Sequence, residues 1–153
     1  MSTPSPIERF FEAQELHWQS AMDEIRAGRK QTHWMWFVFP QLRGLGTSLK
    51  SRHYGIADLE EAESFAQHPV LGPRLRQAIQ AVLDSPTRDL NQLFGPTDAA
   101  KFLSCLTLFE SIPHMTNLCR SVLEARYGGQ RDMRTLELLR ASQPSTGAGG
   151  ASG

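Results

Sequence analysis

The sequence has few cysteines and no excess of charge of either sign. Two cysteines among 153 residues cannot form a disulfide-rich framework, and neither Cys105 nor Cys119 has the spacing of a paired metal ligand. Sixteen basic residues balance sixteen acidic ones, which argues against nucleic-acid binding because there is no overall positive field. This composition favours a reducing, cytoplasmic location.

The pattern also lacks a membrane span, a secretion signal and a metal site. Nowhere do eighteen consecutive apolar residues occur, and the stretch MSTPSPIERFFEAQELHW has no basic start followed by an apolar run. We therefore expect no membrane association. No two of the five histidines are paired at helical spacing, so we expect neither a bound metal nor a cofactor.

Apolar residues recur at helical spacing through much of the chain. Leu71, Leu75 and Ile79 lie on one face of an amphipathic helix, and no segment shows the alternation of a strand. Because 40% of the residues are hydrophobic, the chain can bury a core. We predict an all-α fold, a compact multihelical single domain of about seven to nine helices over residues 5–140. The Gly/Ser-rich segment 141–153 predicts a disordered tail.

Capping residues indicate where several helices begin and end. Ser5 followed by Pro6 predicts the start of the first helix, and Gly28 predicts its end. Asp58, with a glutamate three residues later, has the pattern of a capping box. Thr97 is expected to cap a later helix.

Residues 30–46, KQTHWMWFVFPQLRGLG, form what we call the aromatic segment. Most of its apolar side chains are simply explained as core, since large apolar residues are usually buried. Trp34 and Trp36 follow Lys30 and His33, however, and an aromatic face beside cations is what a nucleotide ligand needs. The alternative is that these cations only favour a helix dipole.

The end of the segment continues into RGLGTS, residues 43–48. Gly44 and Gly46 allow a ligand to approach the backbone closely, and Ser48 precedes a predicted helix start, where free N–H groups can bind an anion. With Gln41, these residues form the candidate turn of a binding site. The alternative is an ordinary turn followed by a cap.

The segment TDAAKFLSCLTLFES predicts a helix that is hydrophobic over most of its circumference. Asp98, Lys101, Ser104 and Thr107 fall three residues apart on it and form what we call the polar stripe. Polar groups on a buried helix need partners or a wet cavity. In the alternative, Asp98 pairs with Lys101 at the surface, and the two hydroxyls bond back to backbone carbonyls.

Three separated motifs carry a resemblance to a known family. GRKQTHWMWFVFPQLRGLGTS, HPVLGPRL and LFGPTDAAKFLSCLTLF occur in this order, and together they resemble the family catalogued as domain of unknown function 1810, related to the Rv1873-like superfamily. The resemblance extends from Ile7 to Leu139 and implies an all-helical single domain. It implies no established activity.

The sequence therefore predicts a pocket for a small anionic ligand, nucleotide-like or ADP-ribose-like, where the aromatic segment meets the polar stripe. An enzyme with this pocket would be a hydrolase, with His33 and Asp98 as acid–base candidates and Lys101 as the electrostatic one. The residues expected to contact the ligand are Lys30, Trp34, Trp36, Gln41, Gly44, Gly46, Ser48 and Ser104. The alternative is a protein–protein interaction module without catalysis, anchored by exposed tryptophans.

Overall fold

The structure is a computed structural model that describes residues 7–142. These residues form nine α-helices and, in place of strands, one isolated bridge between Leu42 and Ile56. The helices are α1 (Glu8–Ala27), α2 (Met35–Val38), α3 (Leu49–Tyr54), α4 (Leu59–Gln67), α5 (Leu71–Asp84), α6 (Leu90–Phe94), α7 (Pro96–Glu110), α8 (Thr116–Tyr127) and α9 (Met133–Ser142). The predicted all-α single domain is confirmed. None of these helices is both long and apolar enough to cross a bilayer.

Several helix ends carry the capping residues that the sequence predicts. Gly28 ends α1 with φ 87°, in the left-handed region that favours glycine. The Asp58 carboxylate accepts a hydrogen bond at 2.9 Å from the backbone N–H three residues later. The predicted cap at Thr97 is wrong, because α7 begins at Pro96, a residue suited to a first turn, with Gly95 as its N-cap.

The predicted domain, residues 5–140, begins just outside the described residues and ends just inside them. The helix start predicted at Ser5 and Pro6 lies outside them, as do residues 143–153 of the predicted tail. Helix α9 ends at Ser142, so the first two residues assigned to the tail belong to a helix.

Helix α7 packs against α4, α6, α8 and α9. Phe102 and Phe109 on α7 have no exposed surface, as the hydrophobic circumference of this helix predicts. The Phe102 ring meets Phe39 edge-on with centroids 4.7 Å apart and lies 5.2 Å from the Phe94 ring. Because Phe39 follows α2, this cluster holds the aromatic segment against α7.

The start of α9 is fixed to the C-terminal turn of α7 by polar contacts. The Asp132 backbone N–H donates to the Thr107 hydroxyl at 2.9 Å, and Arg131 Nε donates to Glu110 at 2.9 Å. The hydrogen bonds from Arg131 are the main reason that the pKa of Glu110 lies below its usual value. The aromatic segment and the start of α9 therefore both lie against α7.

Candidate functional site

The first part of the aromatic segment is held by Glu24 of α1. This carboxylate accepts hydrogen bonds from the backbone N–H groups of Gln31 and Thr32 at 2.7 and 3.0 Å, from the Thr32 hydroxyl at 2.6 Å and from the Trp34 indole at 2.9 Å. Partial burial raises the pKa of Glu24, but these hydrogen bonds outweigh it and lower the pKa to about 2. Trp34 has no exposed surface, so its ring belongs to the core.

Asp98 bridges two lysines that come from different parts of the chain. Lys30 Nζ lies 2.8 Å from one carboxylate oxygen, and Lys101 Nζ lies 3.3 Å from the other. The Lys30 side chain is only 8% exposed, and Asp98 provides the counter-charge for its largely buried ammonium group. This pair joins the aromatic segment to the N-terminal turn of α7.

A cavity of about 260 Å³ lies between the segment 36–51, the first half of α7 and the start of α9. It brings the second part of the aromatic segment together with two residues of the polar stripe, Lys101 and Ser104, while Asp98 and Thr107 lie outside its lining. The polar or charged side chains that line it belong to Gln41, Ser51, Thr97, Lys101, Ser104, Asp132 and Arg134.

Trp36 and Lys101 form an aromatic and cationic wall of this cavity. Trp36 is half-buried, and Lys101 Nζ lies 4.0 Å from the centroid of its ring, within cation–π range. The Ser104 hydroxyl, also in the lining, donates back to the Ala100 carbonyl at 3.2 Å. The Thr107 hydroxyl likewise donates to Leu103 at 2.8 Å, so the back-bonding considered for the polar stripe is present.

Gln41 is the unusual residue of the cavity. It is 8% exposed, and no described residue hydrogen bonds with its side-chain amide, although buried polar groups normally have partners. The amide is nevertheless reached by solvent, because Arg126 Nε is the one fully buried, unpartnered polar side-chain atom among the described residues. Gln41 therefore combines a place in the cavity lining with an amide that is in contact with solvent.

Other residues predicted for the site lie outside the cavity lining. His33 is exposed, and Asp98 lies outside the lining but forms an ion pair with Lys101, which belongs to it. Gly44 forms a turn with φ 105°, and the Ser48 hydroxyl caps α3 by accepting from a backbone N–H at 3.1 Å. Of the three residues predicted for catalysis, only Lys101 lines the cavity.

Comparison with known proteins places this chain in a family. The family model described as protein of unknown function (DUF1810) matches residues 4–139. The chain belongs to this family. The DUF1810 chain is also similar to a solved structure, the conserved hypothetical protein Rv1873 from Mycobacterium tuberculosis, at 44% identity and a TM-score of 0.86, covering 90% of this chain and 99% of that one. No curated protein matches.

The sequence of the DUF1810 chain did not indicate that α9 contributes to the cavity. Asp132 and Arg134 line the cavity, but no local pattern indicates that their helix packs beside α7. Asp132 also caps α9, because its carboxylate accepts a hydrogen bond from the Thr135 N–H at 2.9 Å. In the sequence, the only indication of this role is an aspartate three residues before a threonine.

Both cysteines are buried and free, and residues 7–142 hold no group of three metal-ligating side chains.

Proposed function

We propose that this DUF1810 chain binds a small anionic ligand, nucleotide-like or ADP-ribose-like, in the cavity between the aromatic segment, α7 and α9. The observation that carries the proposal is Gln41, a largely buried residue of the cavity lining whose side-chain amide has no partner among the described residues. Because solvent reaches this amide, water can hydrogen-bond to it in the free protein. A ligand that displaces that water would take over its hydrogen bonds with the amide.

The charges around the cavity favour an anion. Lys101 and Arg134 both line it, and the carboxylate of Asp98 is shared between Lys101 and Lys30. The carboxylate of Asp132 is engaged in capping α9. Lys30, Lys101 and Arg134 are thus opposed by two carboxylates, those of Asp98 and Asp132, which leaves one net positive charge around the cavity. Charge-assisted hydrogen bonds from Lys101 and Arg134 to a phosphate would form there.

The dimensions of the cavity limit what can enter. Its volume of about 260 Å³ is below the range of roughly 300–1,000 Å³ found for sites of drug-sized ligands. A dinucleotide would therefore place only one of its ends inside. The half-buried indole of Trp36 offers an aromatic wall for a ring at that end.

Binding, rather than catalysis or protein association, is what the geometry supports best. A hydrolytic role stays a prediction, because Lys101 is the only one of the three proposed catalytic residues in the lining. The interaction module depends on exposed tryptophans, yet Trp34 has no exposed surface and Trp36 is half-buried. Neither indole offers the protruding anchor that such a module needs.

A thermal-shift experiment tests the proposal with AMP, ADP-ribose, ribose 5-phosphate and inorganic phosphate as probes. A ligand at a hundred times its dissociation constant should stabilise the fold by about 2.7 kcal/mol, which raises the melting temperature measurably. The Lys101→Met and Arg134→Met variants should lose the response. Arg88→Met, which removes an exposed cation outside the lining, should keep it.

Two outcomes would contradict the proposal. One is that no probe raises the melting temperature of the wild-type protein, which would favour the interaction module. The other is that the Lys101→Met and Arg88→Met variants respond equally, since a probe would then bind without the cations of the cavity.

A further inference from the structure

The cavity has a neutral floor and a charged rim. Gln41, Ser51 and Ser104 are 8%, 6% and 6% exposed and form its buried part. Lys101 is partly exposed and Arg134 is exposed, so the cations lie nearer the solvent. A ligand with one neutral and one anionic end would therefore enter with the neutral end first and keep its anionic group at the rim.

The hydrogen bonds of the floor define what that neutral end must offer. The Ser51 hydroxyl donates to the Ser48 carbonyl at 2.8 Å, and the Ser104 hydroxyl donates to the Ala100 carbonyl at 3.2 Å. With their protons engaged, both hydroxyls face a ligand only as acceptors. Gln41 brings an amide with two N–H donors and one acceptor oxygen, none bonded to a described residue.

This inventory matches a particular ring edge. A glutamine amide pairs with a group that carries an amino donor beside an acceptor atom, through one hydrogen bond in each direction. The amino group has a second N–H, which the acceptor oxygens of the floor hydroxyls suit. A bound ring edge without that amino group would give the Gln41 oxygen and these hydroxyls no donor. Their hydrogen bonds would then stay unmade, which weakens binding.

Resting on the proposed function, we infer that the buried end of the ligand is a planar ring bearing an amino group beside an acceptor, and that Gln41 selects it. Adenine and a ring carboxamide both have this chemistry. The ring belongs to a phosphorylated nucleoside, whose phosphate binds Lys101 and Arg134 at the rim. Trp36, in the wall of the same cavity, provides an aromatic surface for the ring.

Two pairs of mononucleotides, measured by titration calorimetry, test the selection and identify the source of the amino group. AMP is compared with purine riboside monophosphate, which lacks the amino group, and nicotinamide mononucleotide with nicotinic acid mononucleotide, in which an ionised carboxylate replaces the carboxamide and adds a negative charge. We expect the amino-bearing member of one pair to bind roughly tenfold more tightly, the size of a bidentate contact. The pair that shows the preference identifies the ring as adenine or as a carboxamide.

The Gln41→Met variant removes the amide with little change in length and should abolish that preference, leaving weaker binding through the rim. Gln92→Met, at an exposed position of α6, should behave as the wild type. Without ligand, Gln41→Met should have a melting temperature equal to or above that of the wild type, because no described residue loses a hydrogen bond with the amide. A clear fall would show that the amide is needed by the fold and would overturn the inference.

The remaining outcomes separate this inference from the proposed function. Equal affinities within both pairs, with loss of binding in Lys101→Met, would overturn the selection by Gln41 and leave the anion site in place. The same conclusion follows if none of the four mononucleotides binds but ribose 5-phosphate binds through Lys101. If no anion binds at all, both proposals are wrong.

Discussion

Trp34 and Trp36 are two residues apart in one short aromatic run, but their surroundings differ. Trp34 is fully buried, and its indole N–H donates to Glu24 at 2.9 Å. Trp36 is half-buried and forms a cavity wall beneath Lys101 Nζ, 4.0 Å from its ring centroid. In the first region the polar groups form hydrogen bonds with protein partners. In the second region the side-chain amide of Gln41 has no hydrogen bond with a described residue. This difference separates a core region from a candidate site.

Removing the two indoles in turn should give the largest contrast. We expect Trp34→Ala to lower the free energy of unfolding by about 3–5 kcal/mol, because it leaves a cavity in a packed core and removes a donor to Glu24. Trp36→Ala should lower it by about 1 kcal/mol, from partial burial and a lost cation–π contact. Urea denaturation monitored by circular dichroism measures both. Losses of equal size would contradict the division between core and site.

A smaller effect is expected from separating Lys30 from Asp98. Asp98→Asn should lower the free energy of unfolding by roughly 2–3 kcal/mol, because the Lys30 ammonium stays largely buried without its counter-charge. Lys30→Met combined with Asp98→Asn should recover part of that loss. A double-mutant cycle should give a coupling of about 1 kcal/mol or more. Additive losses would show that the pair does not connect the aromatic segment to α7.

A third effect concerns Glu24 and depends on pH. Its pKa is about 2 in the folded protein against an ordinary 4.5, so its contribution to stability is complete above pH 4.5 and is lost as the pH falls towards 2. Glu24→Gln should therefore be less stable than the wild type at neutral pH, and the difference should shrink over that interval. Glu61 and Glu110, whose pKa values are also lowered, are present in both proteins and cancel. A difference in unfolding free energy that stays constant with pH would refute this role.

Local signals explain why most of the fold could be predicted. Caps such as Gly28 and Asp58 act within one turn of chain, and the apolar face of α5 repeats within a single helix, so both are visible in sequence. The Thr97 cap failed for a local reason as well, since Pro96 already suits the first turn. Such errors shift a boundary without changing the architecture.

The site depends on contacts between distant parts of the chain, and these were predicted less completely. The polar stripe indicated Lys101 and Ser104, and the turn indicated Gln41, but nothing in the sequence pairs Lys30 with Asp98. Nor does it show that Arg134 would complete the cavity. Long-range packing decides those neighbours, and it also decides which of two similar indoles is buried.

The bond between Thr107 and the Asp132 backbone N–H has a consequence for how the protein is made. The walls from the aromatic segment and α7 leave the ribosome first, and the cavity has no third wall until α9 has been synthesised and has docked. A protease cut in the turn at Gly128 and Gly129, where both residues have positive φ, would leave α9 held to the rest of the chain only by its contacts with α7, such as the hydrogen bond to Thr107. Dissociation of α9 after such a cut would remove Asp132 and Arg134 from the cavity lining.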